Sequence, residues 1–374
     1  SGEAFLSGNI FASVSVAALL AVGVSGPAAA RDDALQMVSI DVEGGGGTLF
    51  VTPDGHSLLI DTGNPEQSRV TGDNPSSARI QKAAAELGVK KIDYLITTHY
   101  HIDHIGGLEG LMKRMPIGTF IDHGPNRETT ASTRPDAPQI DLKNPPPNST
   151  AAGYNHYLTL IKGHRHIVAK PGDVFHVGGM TVTVVMADAK PIAKPLPGAG
   201  EENPSCAGME AMANNGGEEN ARSTASIISY GKVKIAAFGD LTWDREKDLF
   251  CPIDRVGKVD VYLATHHSTA LSGSPAAVNA MAPIVAIAGN GARKGADPVR
   301  MKTIEESPRI QGVWMLHTST ANPGANVKDT DMIANPVTDQ SQDKAYDLRL
   351  RIEKDGKITV INERNGFNKT YQAQ

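Results

Sequence analysis

Thr97-Thr98-His99-Tyr100-His101-Ile102-Asp103-His104-Ile105-Gly106-Gly107 is the stretch on which the reading of this chain turns. Three of the 12 histidines and an aspartate fall within six residues. They follow directly on Ile92-Asp93-Tyr94-Leu95-Ile96-Thr97, a run of the kind that forms a buried strand. On a tight loop, His99 and His101 can point to one side while Asp103 and His104 point to the other. Imidazole and carboxylate at this density suit zinc or a similar divalent ion. Gly106-Gly107 allows close backbone approach as the loop turns into a helix.

Working outward, Met37–Val42, Thr48–Val51 and Ser57–Ile60 read as strands, separated by hairpin turns at Gly44–Gly47 and Pro53-Asp54-Gly55. The glycine run is not read as a phosphate cradle, because a strand follows it and not a helix. Ile80, Ala83, Ala84 and Leu87 share one face and predict a helix over Ser77–Leu87. Further helices are expected over Leu108–Met115, Ala151–Lys162 and Trp243–Leu249. Strands are expected at Gly118–Ile121, Met180–Met186, Ser223–Tyr230, Val233–Phe238 and Val259–Ala264. A hairpin of Tyr346–Ile352 and Lys357–Ile361 around Asp355-Gly356 is expected to close the chain. Residues 124–150, rich in Pro, Asn, Thr and Asp, and 188–221, rich in Pro, Gly and Asn, read as two long loop insertions walling a pocket. Strands and helices alternate in two comparable halves, which predicts an α/β (α+β) class with two packed sheets and helices outside. Residues 36–370 read as one domain.

Hydrophobic residues at 40% and charged residues at 21% are ordinary for a soluble globular chain of 374 residues. The net charge of −5 gives no basic footprint, which disfavours nucleic acid as a partner and leaves a small molecule. Residues 1–30 resemble a signal peptide. Asn9–Ala30 carry no charge and end in Gly26-Pro27-Ala28-Ala29-Ala30, a small-residue cleavage pattern, although Glu3 stands where Lys or Arg is usual. The uncharged run also approaches the length of a membrane anchor. Its small residues favour a signal, hence an exported, periplasmic or secreted protein with no stable span after removal. The only cysteines, Cys206 and Cys251, would suit one disulfide in that compartment.

The stretch His99–His104 resembles the H-x-H-x-D-H signature of the metallo-β-lactamase superfamily. Leu59-Ile60-Asp61-Thr62-Gly63 resembles the family's preceding strand end, Phe238-Gly239-Asp240 its bridging aspartate, and Thr265-His266-His267-Ser268 its last histidine in a double form. The resemblance runs over about residues 36–290. It implies a four-layer αββα sandwich with a binuclear centre, of zinc first, with manganese or iron as alternatives. Carried over, His99 and His101 hold metal one, Asp103, His104 and His266 hold metal two, and Asp240 bridges them. Such a pair of ions activates water and polarises the scissile bond. Asp103, Asp240 and His267 are the candidate catalytic residues.

Many members have a further histidine for metal one, and no matching motif occurs here. By position His123 is the first substitute, ahead of His164, His166 and His176. Asp61 is a candidate for orienting the ligands, and His317, at a strand end, for lining the pocket. Lys294, Arg222 and Arg293 are weaker candidates for recognising an anion. Without the extra histidine the pattern is most similar to the branch containing the competence-channel hydrolase domains and the phosphorylcholine esterases. Asn220 and Ser226 fit that branch as well. The expected function is metal-dependent hydrolysis of an ester-type bond, a phosphodiester first. A β-lactamase or lactonase acting on a cyclic amide or ester is the alternative, and a non-catalytic metal-binding protein the third.

Overall fold

Successive strand residues face different apolar environments. Within Ile92–Ile96, Tyr94 and Ile96 turn to one cluster and Leu95 to another. Within Val285–Ala288, Val285 and Ile287 join that first cluster while Ala286 and Ala288 join a third. This two-residue period buries both faces of each sheet. The computed structural model describes residues 1–2, 33–132, 136–207 and 217–374. The signal-like segment lies outside the described residues apart from Ser1 and Gly2, as do short parts of both predicted insertions.

The chain builds the first sheet with β1 (Leu35–Ser39), β2 (Thr48–Val51), β3 (Ser57–Ile60), β4 (Ile92–Ile96), β5 (Ile117–Asp122) and β6 (Arg165–Val168). It then lays down the second with β7 (Val174–Val177), β8 (Met180–Ala187), β9 (Lys190–Pro191), β10 (Ala225–Tyr230), β11 (Val233–Ala237), β12 (Val261–Leu263), β13 (Val285–Ala288), β14 (Gly312–His317) and β15 (Ile333–Asn335). It returns to the first with β16 (Leu348–Ile352), β17 (Lys357–Asn362) and β18 (Asn368–Gln372). Among the described residues each sheet has nine strands, in the orders β18-β17-β16-β1-β2-β3-β4-β5-β6 and β15-β14-β13-β12-β11-β10-β8-β7, with β9 paired to β8. The runs β3 to β6 and β11 to β15 are parallel, and parallel strands need crossover connections.

Helices cover the outer faces. Among the described residues the helices are α1 (Ser76–Glu86), α2 (Ile102–Ile105), α3 (Leu108–Arg114), α4 (Thr150–Ile161), α5 (Gly217–Asn220), α6 (Trp243–Phe250), α7 (Pro275–Met281) and α8 (Pro298–Glu305), of which the short α2 and α5 lie at the cavity and not on an outer face. Ile80 and Ala84 of α1, Leu111 of α3 and Tyr157 of α4 pack on the first sheet. Leu249 and Phe250 of α6, Val278 of α7 and Met301 of α8 pack on the second. With Phe50, Val182, Ile235 and Trp314 in the cluster between the sheets, the layers run αββα. The parallel strands β3, β4, β11 and β12 run out into Asp61, His99–His104, Asp240 and His266-His267, so one end of the sandwich collects the polar residues.

Two details depart from or complete the expectation. The predicted closing hairpin is followed by a further strand, β18, antiparallel to β17. That strand lies at the sheet edge and only Tyr371 of its residues is buried, so it leaves no apolar pattern to read. Cys206 and Cys251 form a disulfide, with Cα atoms 5.8 Å apart, fastening the second insertion to the end of α6. Among the described residues no helix is long and apolar enough to cross a membrane.

Candidate metal centre

The first ligand loop is folded by its own side chains. Asp61, at the end of β3, accepts from the Thr98 amide and the Thr98 hydroxyl, each at 2.7 Å. Its Oδ2 also lies 2.7 Å from Nδ1 of His104. Thr98 Oγ1 in turn is 3.1 Å from Nδ1 of His99. On the other sheet, His266 and His267 sit in a 3-10 turn, Thr265–Ser268, with φ of 55° at both. Left-handed backbone is uncommon for non-glycine residues, and here it splays the two rings apart. His267 Nδ1 faces the Gly289 carbonyl at 3.2 Å, and His266 Nδ1 faces the Ser272 hydroxyl at 3.1 Å.

With one nitrogen of each ring anchored, the others converge. Nε2 of His99, His104 and His267 and Oδ1 of Asp240 are buried without a hydrogen bond. Asp240 occupies the middle. Its Oδ2 is 3.3 Å from His104 Nε2, 3.4 Å from His266 Nε2 and 3.8 Å from His99 Nε2, and its Oδ1 is 3.4 Å from His267 Nε2. Asp103 Oδ2 lies 3.3 Å from His104 Nε2 and 3.6 Å from His267 Nε2. Asp103, His104, Asp240 and His267 each bring a ligand atom within 4.8 Å of the others. Orphaned, buried nitrogen and carboxylate donors of this kind fit a divalent cation, since leaving them unpaired otherwise costs stability.

The carboxylates and two of the histidines are held in the states that such an ion needs. Burial pushes the Asp240 carboxyl up, yet His104, His266 and His267 outweigh it and hold the group well below the carboxylate range. Burial likewise opposes ionisation of Asp103, and Lys294 and His104 overcome it. His99 is driven well below the usual imidazole range by burial and by its histidine neighbours. Burial lowers His266 to about 4. The chain thus holds anionic carboxylates and a neutral His99 and His266, the states that bind metal. By contrast, Asp240, Asp103 and Asp61 outweigh burial and raise His104 well above the imidazole range, and Glu128 outweighs burial and raises His101, so those two rings release protons when an ion binds.

His267, expected as an acid–base group beside a ligand, is the histidine that closes the cluster around Asp103 and Asp240. His266, expected as the ligand, contacts Asp240 from the side of Asn220, whose Nδ2 is 3.5 Å from its Nε2. His101 turns its Nε2 to Glu128 Oε2 at 2.9 Å. His123 lies outside the cluster, paired with Glu219 at 2.9 Å, both side chains fully buried. His317 sits in a separate group with Asp41, Glu43 and Asp343, bonded to Asp41 at 2.7 Å. There Arg79 already pairs with Asp41 at 2.8 Å, so the chain supplies its own cation. His166 bonds Asp122, His164 packs on Phe120 and His176 lies near Thr181, away from the centre. Arg222 pairs with Asp188 and Glu218, and Ser226 Oγ is buried in β10 without a partner.

A cavity of about 600 Å³ opens over the centre. His101, Asp103, Asp240 and His266 form its floor, Ile102 and Leu271 its apolar sides, and Glu128, Asn148, Asn220 and Lys294 its polar wall. Lys294 contacts Asp103 directly. Glu128 and Glu219 carried no signal in the sequence, since each is an acid in an insertion without a motif.

Residues 43–200 match the family model described as Metallo-beta-lactamase superfamily. The architecture is the metallo-β-lactamase fold. The match ends before Asp240, so it covers neither that residue nor the two later histidines, which geometry alone brings to His99–His104. The fold and the family model together support a metallo-hydrolase. No curated protein matches the sequence. Among solved structures, a Cronobacter sakazakii metallo-β-lactamase with a HARLDQ motif, mutant S60, is similar at 16% identity and TM-score 0.30, over 52% of this chain and 56% of that one. The metallo-β-lactamase fold protein YhfI from Bacillus subtilis is similar at 14% identity and TM-score 0.41, over 76% and 96%. A diphosphatase of the PhnP family is similar at 13% identity and TM-score 0.37, over 75% and 94%.

Proposed function

We propose that this protein is a hydrolase with a binuclear metal centre, zinc first, that cleaves an ester-type bond in a small molecule, a phosphodiester before a lactone or β-lactam. The observation that carries the reading is the position of Asp240. Its Oδ2 faces Nε2 of His99 and of His104 and its Oδ1 faces Nε2 of His267, three buried nitrogens that have no hydrogen bond. His99 and His101 would serve one ion, Asp103, His104 and His267 the second, and Asp240 both. Bound ions would supply a water of lowered pKa and a positive charge on the scissile group.

The chain's own part is orientation and charge. Asp61 holds the His104 ring by Nδ1 and leaves its Nε2 free. Gly289 does the same for His267. Lys294, at the cavity wall, offers an ammonium to an anionic substrate group. A volume of about 600 Å³ suits a ligand of moderate size. The preference for a phosphodiester rests on the similarity to the competence-protein and phosphorylcholine esterase branch and on the absence of a third metal-one histidine. Export is part of the proposal, supported by the Cys206–Cys251 disulfide, because such bonds persist in oxidising compartments.

Purified protein with zinc or manganese is expected to hydrolyse bis(p-nitrophenyl) phosphate and to lose that activity in EDTA. Asp240→Ala is expected to lose bound metal and turnover together. Turnover of nitrocefin or a homoserine lactone with none of the phosphodiester would move the assignment to a cyclic amide or ester. Full metal content with no turnover of any of these would replace the hydrolase with a binding protein.

A further inference from the structure

The loop that walls the cavity also reaches into the ligand set. Glu128 is 2% exposed although it belongs to the insertion at 124–150. Its Oε2 lies 2.9 Å from His101 Nε2, and its Oε1 accepts from the Thr150 hydroxyl at 3.0 Å, at the first residue of α4. Both carboxylate oxygens are therefore engaged. Nothing in the hydrophobic core asks for an acid here, and a buried carboxylate is costly unless its partners are fixed.

The segment that carries Glu128 is itself fixed twice over. The Glu128 backbone amide donates to Asn126 Oδ1 at 3.1 Å, and Asn126 Nδ2 donates back to the Glu128 carbonyl at 2.9 Å. The preceding amide, of Arg127, donates to Glu219 Oε1 at 2.6 Å. Glu219 is itself pinned by His123 at 2.9 Å. His123 thus acts on the site at one remove, as an anchor for the segment that carries Glu128.

We propose that Glu128 is a positioning residue for the first metal half-site, accepting the Nε2 proton of His101 and leaving Nδ1 as the nitrogen of that ring open to an ion. A carboxylate on the far nitrogen fixes the tautomer and orientation of a ligand histidine and raises its basicity. In this chain that restraint comes from the substrate wall, so half-site and wall are ordered together. The inference rests on the reading of the site as a metal centre.

Metal binding tests it without recourse to activity. Zinc titration against a chromophoric chelator should show two equivalents in the wild-type protein. Glu128→Ala should weaken one equivalent by about 10- to 100-fold, the usual range for losing such a partner. Glu128→Gln should restore part of the loss, because its amide oxygen can accept the same proton. In the metal-free protein, histidine ¹⁵N NMR should place the His101 proton on Nε2, and Glu128→Ala should shift that population toward Nδ1. Wild type with no tight zinc would overturn the metal reading and this inference together. Two equivalents with unchanged affinities in Glu128→Ala and Glu128→Gln would overturn the role of Glu128 alone. Should Glu128→Ala fail to fold, Thr150→Val, which frees Oε1, is expected to weaken the same equivalent several-fold, and an unchanged affinity there would also overturn the role.

Discussion

His267 reaches Asp103: its Nε2 lies 3.6 Å from Asp103 Oδ2, and the same atom is 3.4 Å from Asp240 Oδ1. Its neighbour His266 approaches Asp240 alone. Adjacent residues in a regular strand would point to opposite faces. Here both have left-handed backbone, and the turn directs one ring into the carboxylate cluster and the other toward the cavity.

The first prediction follows from that division. His267→Ala should bind about one metal equivalent fewer than wild type and lose turnover by several orders of magnitude. His266→Ala should keep its metal content and lose activity through the cavity side. Metal analysis of the two purified variants decides the matter. Loss of an equivalent in His266→Ala, with none in His267→Ala, would reverse the assignment.

The two histidines also mark where sequence reading stops. His99–His104 is legible because its ligands are local and follow a strand whose apolar pattern is plain. Asp61 and Asp240 are legible because each ends a strand. Which of His266 and His267 reaches Asp103 as well as Asp240 depends on three consecutive left-handed residues, and neither spacing nor residue type encodes that. Glu128 enters from an insertion with no periodicity, and only its hydrogen bonds distinguish it from a surface acid. The layers were readable for a related reason: strands buried on both faces are continuous apolar runs, whereas the edge strand β18 buries a single tyrosine.

A second prediction concerns the glycine run at 44–47, read as a hairpin turn. The turn is there, and the run does more. Gly46 donates its amide to the Asp103 carbonyl at 3.0 Å. A Cβ at Gly46 would meet Asp61 Oδ2 and His104 Nδ1, each at 2.6 Å. Those two atoms form the bond that orients His104, so the added methyl has no flexible neighbour to displace. Gly46→Ala should destabilise the protein by about 1–3 kcal/mol, as overpacking usually does, and weaken metal binding at the same time. Gly324→Ala, where nothing lies within 4 Å, is the control. Equal melting temperature and metal affinity in the two variants would show that the contact is slack.

The third prediction is a pH dependence set behind the metal centre. Burial opposes protonation of His317, but the Asp41 charge outweighs it and raises the group to about 9. Burial, then Asp41, raises Glu43 to about 8, and burial raises Asp347 to about 8. Arg79 faces Asp41 and Asp343, Asp343 faces His317 and Glu43, and Glu363 and Lys82 face Asp347. Each of the three groups has a folded pKa above its unfolded value, so the folded state holds more protons through the window between them. Stability present at lower pH is then lost as pH rises, over 4.5 to about 8 for Glu43, 3.8 to about 8 for Asp347 and 6.5 to about 9 for His317. His266, lowered to about 4, acts in the opposite sense but only below its ordinary value of 6.5. The melting temperature of EDTA-treated protein should therefore fall steadily from about pH 6.5 to 9. His317→Gln should flatten the upper part of that fall, because it removes the only one of these groups that titrates up to about 9. A melting temperature that stays level or rises across the window would mean that the network does not hold these protons.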